Sequence, residues 1–512
     1  MKKRNIILNS FFVAVSYIVR FLLAFLLKSV LVDFLGDEYN GLDALLSSII
    51  SVLAIAELGI GIAINYNLYK PLKNGNIEKI KSIINFYKKC YRIIALIVFV
   101  LGMAIMPFIG FFVGEISIHE NLYVIYCLFV FDSVSSYLLC FRQSIFVADQ
   151  KNYVISICLT IKIVVLQLVK IIVLVTTKSY IAFTLVSIIS NFVHNLVLYL
   201  LSNKMYPYLK ERNISSLDRE TKEDIKTKVK GLLFHRVGSY IVLGTDNILI
   251  SKLCDLKTAG FYSNYYLIVN SIQQVVGQMI DVVVPSLGSQ LVEENKEKNY
   301  VTFKRIHFLV FAVFAVLSTC YLVVVQDFIV IWLGQARLLD FFTIICISFN
   351  LFLFGMRKPM AVFENARGIF YENRFVPLLE SVANIVASVA LGLWIGLPGI
   401  VLGTTISSLW IFFYDYPKYV WPRVFSKPVR NYFLTVFFDF VQLVVIMLSS
   451  FVIVNWFFSF VPGYSLVEFL LKGFASFLVS STIVLLLNFR DPSLLYYLSG
   501  IKKRLFLAKN LR

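Results

Sequence analysis

Long apolar runs, each closed by a short polar stretch, recur along the whole chain. Fourteen of them match the length of about 20 residues that a helix needs to cross roughly 30 Å of hydrocarbon. Their limits are 6–33, 42–68, 90–113, 121–147, 152–176, 180–203, 232–253, 260–287, 304–333, 338–357, 373–396, 398–416, 431–458 and 466–489. In lipid a chain has to satisfy its own backbone N–H and C=O groups, so each run predicts a helix. The first run holds an anomaly. The stretch "YIVRFLLAFLLKSVLV" at 17–32 is apolar apart from Arg20, Lys28 and a serine.

Composition turns this pattern into a fold class. The 512 residues are 59% hydrophobic and only 15% charged, with a mean hydropathy of +0.80. Soluble domains carry about 25% charged residues. The expectation is an all-α polytopic membrane protein of about fourteen transmembrane helices, with no soluble domain left over. The opening "MKKRN" imitates a signal peptide. The apolar run behind it is longer than an h-region and lacks an A-x-A site, so a retained first span is predicted. The seven cysteines are scattered without a CxxC, and the four histidines lack ligand spacing. No metal site or cofactor is expected.

A net charge of +18 raises nucleic acid as a partner. The distribution of the charge argues otherwise. Of the 48 Lys and Arg, only Lys178, Lys252, Lys257 and Arg337 fall in odd-numbered connections. Six more lie inside spans, and all the others cluster at the two ends and in even-numbered connections. That is the positive-inside pattern, so both termini are expected in the cytoplasm of a cell-membrane protein, and nucleic-acid binding is excluded.

The chain also repeats itself. "SYIV" at 16–19 recurs at 239–242, and "YNGLDALLSSII" at 39–50 is loosely matched by "TAGFYSNYYLIV" at 258–269. Spans one to six therefore resemble spans seven to twelve in the same orientation. Parallel repeats of this kind build transporters, with the substrate path between them. The predicted organisation is an N-lobe at 1–203, a charged linker at 204–231, a C-lobe at 232–430, two further spans at 431–490 and a basic tail at 491–512. Two basic elbows follow equivalent spans, at 76–94 and 299–310. In the first, Ile77, Ile80, Ile84 and Tyr87 have helical spacing, which predicts an amphipathic helix lying on the membrane.

The six basic residues inside spans are Arg20, Lys28, Arg142, Lys162, Lys170 and Lys472. On a helical wheel Arg20 shares one stripe with Asn9, Ser16, Ala24 and Lys28, and lipid cannot satisfy such a stripe. Arg20 lies near mid-membrane and reads as a ligand for an anion. Lys28 lies roughly 12 Å further out, where snorkelling and binding both remain open. The fifth span repeats the spacing with Lys162 and Lys170. Arg142 reads equally as an interfacial anchor or a site residue, and Lys472 reads as a snorkelling side chain. Glu57 in "AELGIGIAI", Asp132 and Asp246 lie at depth and have two readings: structural ion pairs, or carboxylates that sense a coupling ion. Gly59 and Gly61 after Glu57 loosen that helix. His194 is a candidate proton relay. Deep cations without matching anions point to an anionic substrate such as a pyrophosphate.

Five stretches carry a resemblance: "FLGDEYNGLDALLSSIISVLAIAELGIGIAI" at 34–64, "LYKPL" at 68–72, "TDNILISKL" at 245–253, "ENARGIFYENRF" at 364–375 and "GLPGIVLGTTIS" at 396–407. Together with the order of elements, they resemble the Wzx-type polysaccharide flippases, the polysaccharide-transport branch of the multidrug/oligosaccharidyl-lipid/polysaccharide (MOP) exporter superfamily. The resemblance covers the whole chain. It implies a MATE-like V of two six-helix lobes plus two C-terminal helices. It also implies a non-enzymatic flippase that moves undecaprenyl-pyrophosphate-linked oligosaccharides by alternating access, for capsule or exopolysaccharide assembly. The implied partners are that lipid-linked oligosaccharide, membrane lipid, and the polymerase and other polysaccharide-assembly proteins. The implied head-group site is a cationic cavity, and Arg20 matches a basic position of the family's first span.

Three rivals remain in view. A lipid II flippase and a multidrug exporter share the fold. A membrane polymerase or glycosyltransferase would need a large external loop, and every external loop here is short. No Walker-type phosphate loop is present, so ATP is not the expected energy source.

Overall fold

The computed structural model describes residues 2–57, 60–114, 118–211, 214–281, 295–369, 372–459 and 465–499; the side chains of residues 2–18, 62, 152, 228, 230–237, 239–243 and 281 lie outside the description. The described chain is almost wholly helical, with no strand among the described residues. Its packing separates it into two compact units. One comprises Met1–Asn264 with Pro377–Ser381, the other Tyr265–Val376 with Val382–Arg512.

The first unit contains α1 (Lys2–Leu35), α2 (Asp37–Leu53), α3 (Ile60–Lys73), α4 (Ile77–Ile105), α5 (Ile109–Val113), α6 (Leu122–Leu139), α7 (Gln143–Ala148), α8 (Asn152–Thr177), α9 (Tyr180–Met205) and α10 (Arg219–Leu253). Helix α11 (Leu256–Asp281) runs across the boundary. The second unit contains α12 (Lys296–Leu333), α13 (Phe341–Arg367), α14 (Val376–Ile395), α15 (Leu397–Trp410), a π-helix at Ile411–Val420, α16 (Trp421–Val424), α17 (Val429–Phe458) and α18 (Leu466–Leu487). Among the described residues, 11 helical stretches are long and apolar enough to cross a membrane. The other three expected spans fall on α1, α10 and α11.

Several expectations change. The span at 42–68 is not one helix: α2 ends at Leu53, a 3-10 turn follows at Ala54–Glu57, and α3 begins at Ile60. The elbows are not separate surface helices. Each forms the first turns of a long helix, α4 or α12, and Ile80, Ile84 and Tyr87 are buried in the protein core. Their 3–4 spacing was a packing face; its partner is protein, not lipid. The described residues of the charged linker at 204–231 are tied to α4. Lys81 pairs with Glu211 at 2.7 Å, Ser82 donates to the Ser215 carbonyl at 2.9 Å, and Lys79 lies 3.4 Å from Asp218. Asp218 caps α10, and hydrogen bonds from Thr221, aided by Lys79, hold its carboxyl down at about 2. Helix α10, which follows the linker, packs along α2 within the first compact unit.

Helix starts are capped by side chains that the sequence supplies at the right place. Asn76, Ser179 and Asp340 each accept a backbone N–H, at α4, α9 and α13 respectively. Such a bond satisfies a donor that a helix start leaves without a partner. Membrane helices gain little from hydrophobic burial against each other, so small residues that allow close approach do much of the packing. Gly41 on α2 and Gly260 on α11 occupy the same position in the two copies of the internal repeat, and they meet. A Cβ on Gly41 would lie 1.8 Å from the Leu256 carbonyl oxygen, and one on Gly260 would lie 2.7 Å from that of Asp37. Asn40 ties the crossing by donating to the Gly260 carbonyl and to Asn264, both at 3.0 Å. Gly41→Val should therefore cost about 1–3 kcal/mol or more, because backbone meets backbone there. Gly473→Ala, in open space, should leave the thermal denaturation midpoint of purified protein unchanged or raise it. Equal midpoints for both variants would contradict this account of the crossing.

Candidate functional site

The candidate site grows from the packing of α1 against α8. Arg20 Nη2 donates to Thr160 Oγ1 at 3.1 Å. Two residues further along α8, Lys162 donates to Asn191 Oδ1, and Asn191 Nδ2 donates to Asp132 Oδ1 at 2.6 Å. Eight residues span roughly 12 Å of helix, and both helices carry a second cation at that spacing, Lys28 on α1 and Lys170 on α8. Asp43 acts electrostatically on both, and its Oδ1 accepts the Tyr180 hydroxyl at 2.9 Å. The Lys170 ammonium lies 4.0 Å from the centre of the Phe183 ring. The result is a polar seam along α8, which Arg20 joins through Thr160, Lys162 joins on the opposite side of α8 through Asn191 and Asp132, and Lys28 and Lys170 join through Asp43. It holds four cations and two carboxylates, Asp43 and Asp132.

The structure brings Arg20, Lys28, Lys162 and Asp132 into this seam. His194 joins Lys162 along a groove of about 470 Å³ between α8 and α9, whose remaining lining is chiefly Val and Ile. Glu57 stands elsewhere, in the break between α2 and α3. Tyr91 donates to its Oε1 at 2.8 Å, and Tyr87 donates to Tyr91 at 2.9 Å, so the carboxylate ends a tyrosine chain from α4. Asp246 on α10 accepts Tyr262 at 3.3 Å. Arg142 lies in a 3-10 turn after α6. Its Nη2 donates to the Leu209 carbonyl at 2.9 Å and its guanidinium stacks on Tyr199 and Phe141, so it holds down the start of the linker. Asn9 and Ser16 lie on α1, and their side chains are outside the described residues. Among the described residues, no group of three His, Cys, Asp or Glu is placed to hold a metal ion.

Sequence reasoning passed over Thr160, Asn191, Asp43 and the Tyr87–Tyr91 pair. A signal for Asn191 existed: Ser190, Asn191, His194 and Asn195 recur at 3–4 spacing, which puts them on one face of the sixth span. Lys472 was expected to snorkel. Instead its ammonium meets Asp327 Oδ2 at 2.6 Å, with both side chains largely buried. The spacing within one helix cannot show a partner 145 residues away.

Comparison with known proteins places this geometry in a family. A family model described as "Polysaccharide biosynthesis protein" matches residues 6–291. No curated protein matches the chain significantly. A solved structure described as "Lipid II flippase MurJ, inward closed conformation" aligns with a TM-score of 0.67 at 13% identity, over 93% of this chain and 98% of that one. A second, described as an inward-facing multidrug resistance MATE family transporter of the MOP superfamily, aligns with a TM-score of 0.57 at 12% identity, over 76% of this chain and 92% of that one. At such identities the likeness establishes the fold. The chain is thus a multi-pass membrane protein with the MOP-superfamily fold, and it belongs to the polysaccharide biosynthesis protein family.

Proposed function

We propose that the protein carries undecaprenyl-pyrophosphate-linked oligosaccharide repeat units from the cytoplasmic to the outer leaflet of the cell membrane, by alternating access, for assembly of a capsule or exopolysaccharide. The observation that supports this reading is the charge of the seam, where Arg20, Lys28, Lys162 and Lys170 outnumber Asp43 and Asp132. A pyrophosphate diester is a dianion, which complements the excess, and a guanidinium offers paired N–H donors to its oxygens. A cationic drug has no such complement here. Arg142 is left out of the head-group set, because it stands at the linker, where its Nη2 donates to the Leu209 carbonyl and its guanidinium stacks on two aromatic rings.

The positive-inside pattern supports an orientation with both ends in the cytoplasm. Glu57, Asp132, Asp246 and His194 are the candidates for a coupling ion. Glu57 leads them, because it sits in a helix break with a tyrosine chain that is able to pass a proton. The lipid tail stays in the bilayer, beside α17 and α18. The family and fold are those of transporters, which supports transport without a chemical step; a polymerase takes up the product.

The test is reconstitution into liposomes loaded with a pyrophosphate-linked oligosaccharide. Translocation is read as the fraction of sugar accessible to an added glycosidase. Repeat units should cross faster than in empty liposomes and faster than lipid II. A rate equal to that of empty liposomes, or a preference for lipid II, would overturn the substrate assignment.

A further inference from the structure

The second unit holds a polar cleft, of about 410 Å³, that plays no part in the seam. It lies between the first turns of α12 and α17 and the end of α18, at the end of the unit where the basic connections gather. Its floor is a buried pair: His307 Nε2 and Asp439 Oδ2 lie 2.8 Å apart. Gln442 and Asn488 hydrogen-bond each other at 2.7 Å and form one wall. Above them stand one cation and one carboxylate. Lys304 Nζ reaches only Thr435 Oγ1, at 3.5 Å, the outer limit of a hydrogen bond, and meets no carboxylate within ion-pair distance among the described residues. Asp491 uses Oδ1 to accept the Ser493 N–H at 2.6 Å, and no described side chain donates to its Oδ2. Lys81 and Lys472, by contrast, each meet a carboxylate, Glu211 and Asp327 respectively. The rim of the cleft is of another character. Leu434 and Phe438 line it and are also exposed on the outer face of α17, where Val441, Val445 and Leu448 continue the same stripe at 3–4 spacing.

We infer that this cleft binds the headgroup of a glycerophospholipid from the leaflet at the basic end, with an acyl chain along the α17 stripe. The two chemistries of the site match the two parts of such a molecule. Lys304, with Thr435, takes the phosphate. Asp491, with the Asn488 and Gln442 amides, takes the ammonium or hydroxyl-bearing part, so phosphatidylethanolamine fits best. A polyprenyl phosphate carries the same anion but no donor for Asp491, and a soluble phosphate has no use for the apolar rim. Lipid there holds α17 and α18 against α12.

The experiment is native mass spectrometry of the full chain released from nanodiscs of phosphatidylethanolamine, phosphatidylglycerol and phosphatidylcholine, with undecaprenyl phosphate in a second set. Wild-type protein should retain one phosphatidylethanolamine in preference to the other lipids. Lys304→Ala and Asp491→Asn should each lower that retention roughly tenfold, the worth of one charge-assisted contact. Thr435→Phe, which fills the cleft and removes no charge, should do the same, while Lys178→Ala should change nothing. Soluble glycerophosphoethanolamine should not displace the lipid. Unchanged retention in the three cleft variants, preferential retention of undecaprenyl phosphate, or displacement by the soluble headgroup would each overturn the assignment.

Discussion

Alanine at position 20 should reduce export of surface polysaccharide by about ten- to a hundredfold, in cells that hold normal amounts of the membrane-inserted protein. Arg20 links α1 to α8 through Thr160, and among the described residues its guanidinium is the only one in the seam. A hydrogen bond to a charged group contributes about 1.5–3 kcal/mol, and each 1.4 kcal/mol is tenfold. Arg20→Lys should recover part of the loss, since it keeps the charge and gives up the paired N–H donors. Lys162→Ala should produce a loss of similar size for a different reason. It removes a cation and also strands the Asn191–Asp132 bond, so Asp132→Asn should relieve part of its defect. Quantifying surface polysaccharide alongside membrane abundance separates transport from folding. Wild-type export by Arg20→Ala would sink the head-group assignment, whatever its effect on stability.

Much of this site was legible along the chain. The cations stand out because their setting is apolar, and the placement of the remaining basic residues made that setting a row of membrane spans. The break after Leu53 was foreshadowed by Gly59 and Gly61 behind Glu57. The wheel grouped Arg20 with small and polar residues on one stripe. It could not say what the stripe faces, because periodicity reports that a helix has two sides and is silent on which neighbour covers each. The elbows show the same limit. The spacing of Ile80, Ile84 and Tyr87 was right, yet their partner is the protein core. Arg142 and Lys472 show it for charge: one serves a backbone carbonyl and the other an aspartate, at separations of 67 and 145 residues. The parallel repeat was legible, and the meeting of its two equivalent glycines was not, since a repeat fixes equivalence and leaves proximity open.

The Lys472–Asp327 pair sets up the other large effect. It lies between α18 and α12, with side-chain exposures of 13% and 18%, and its atoms are 2.6 Å apart. Removing one member of a buried pair leaves the other charge without its counterion, at a cost of about 3–5 kcal/mol. Around a membrane helix that charge also faces hydrocarbon, where it is costly in its own right. Asp327→Ala should therefore lower the thermal denaturation midpoint of the purified protein sharply and loosen α18 from α12. Site-directed crosslinking between the two helices would register that loosening. Removing both charges is a different matter, because two well-packed apolar side chains have nothing to desolvate. Asp327→Leu combined with Lys472→Met should return the midpoint close to that of the wild type, and export with it, since the pair lies outside the seam. A double variant as unstable as the single one would show that the charges themselves are required. A single variant as stable as the wild type would mean that Lys472 reaches water without its partner, as the sequence alone had suggested.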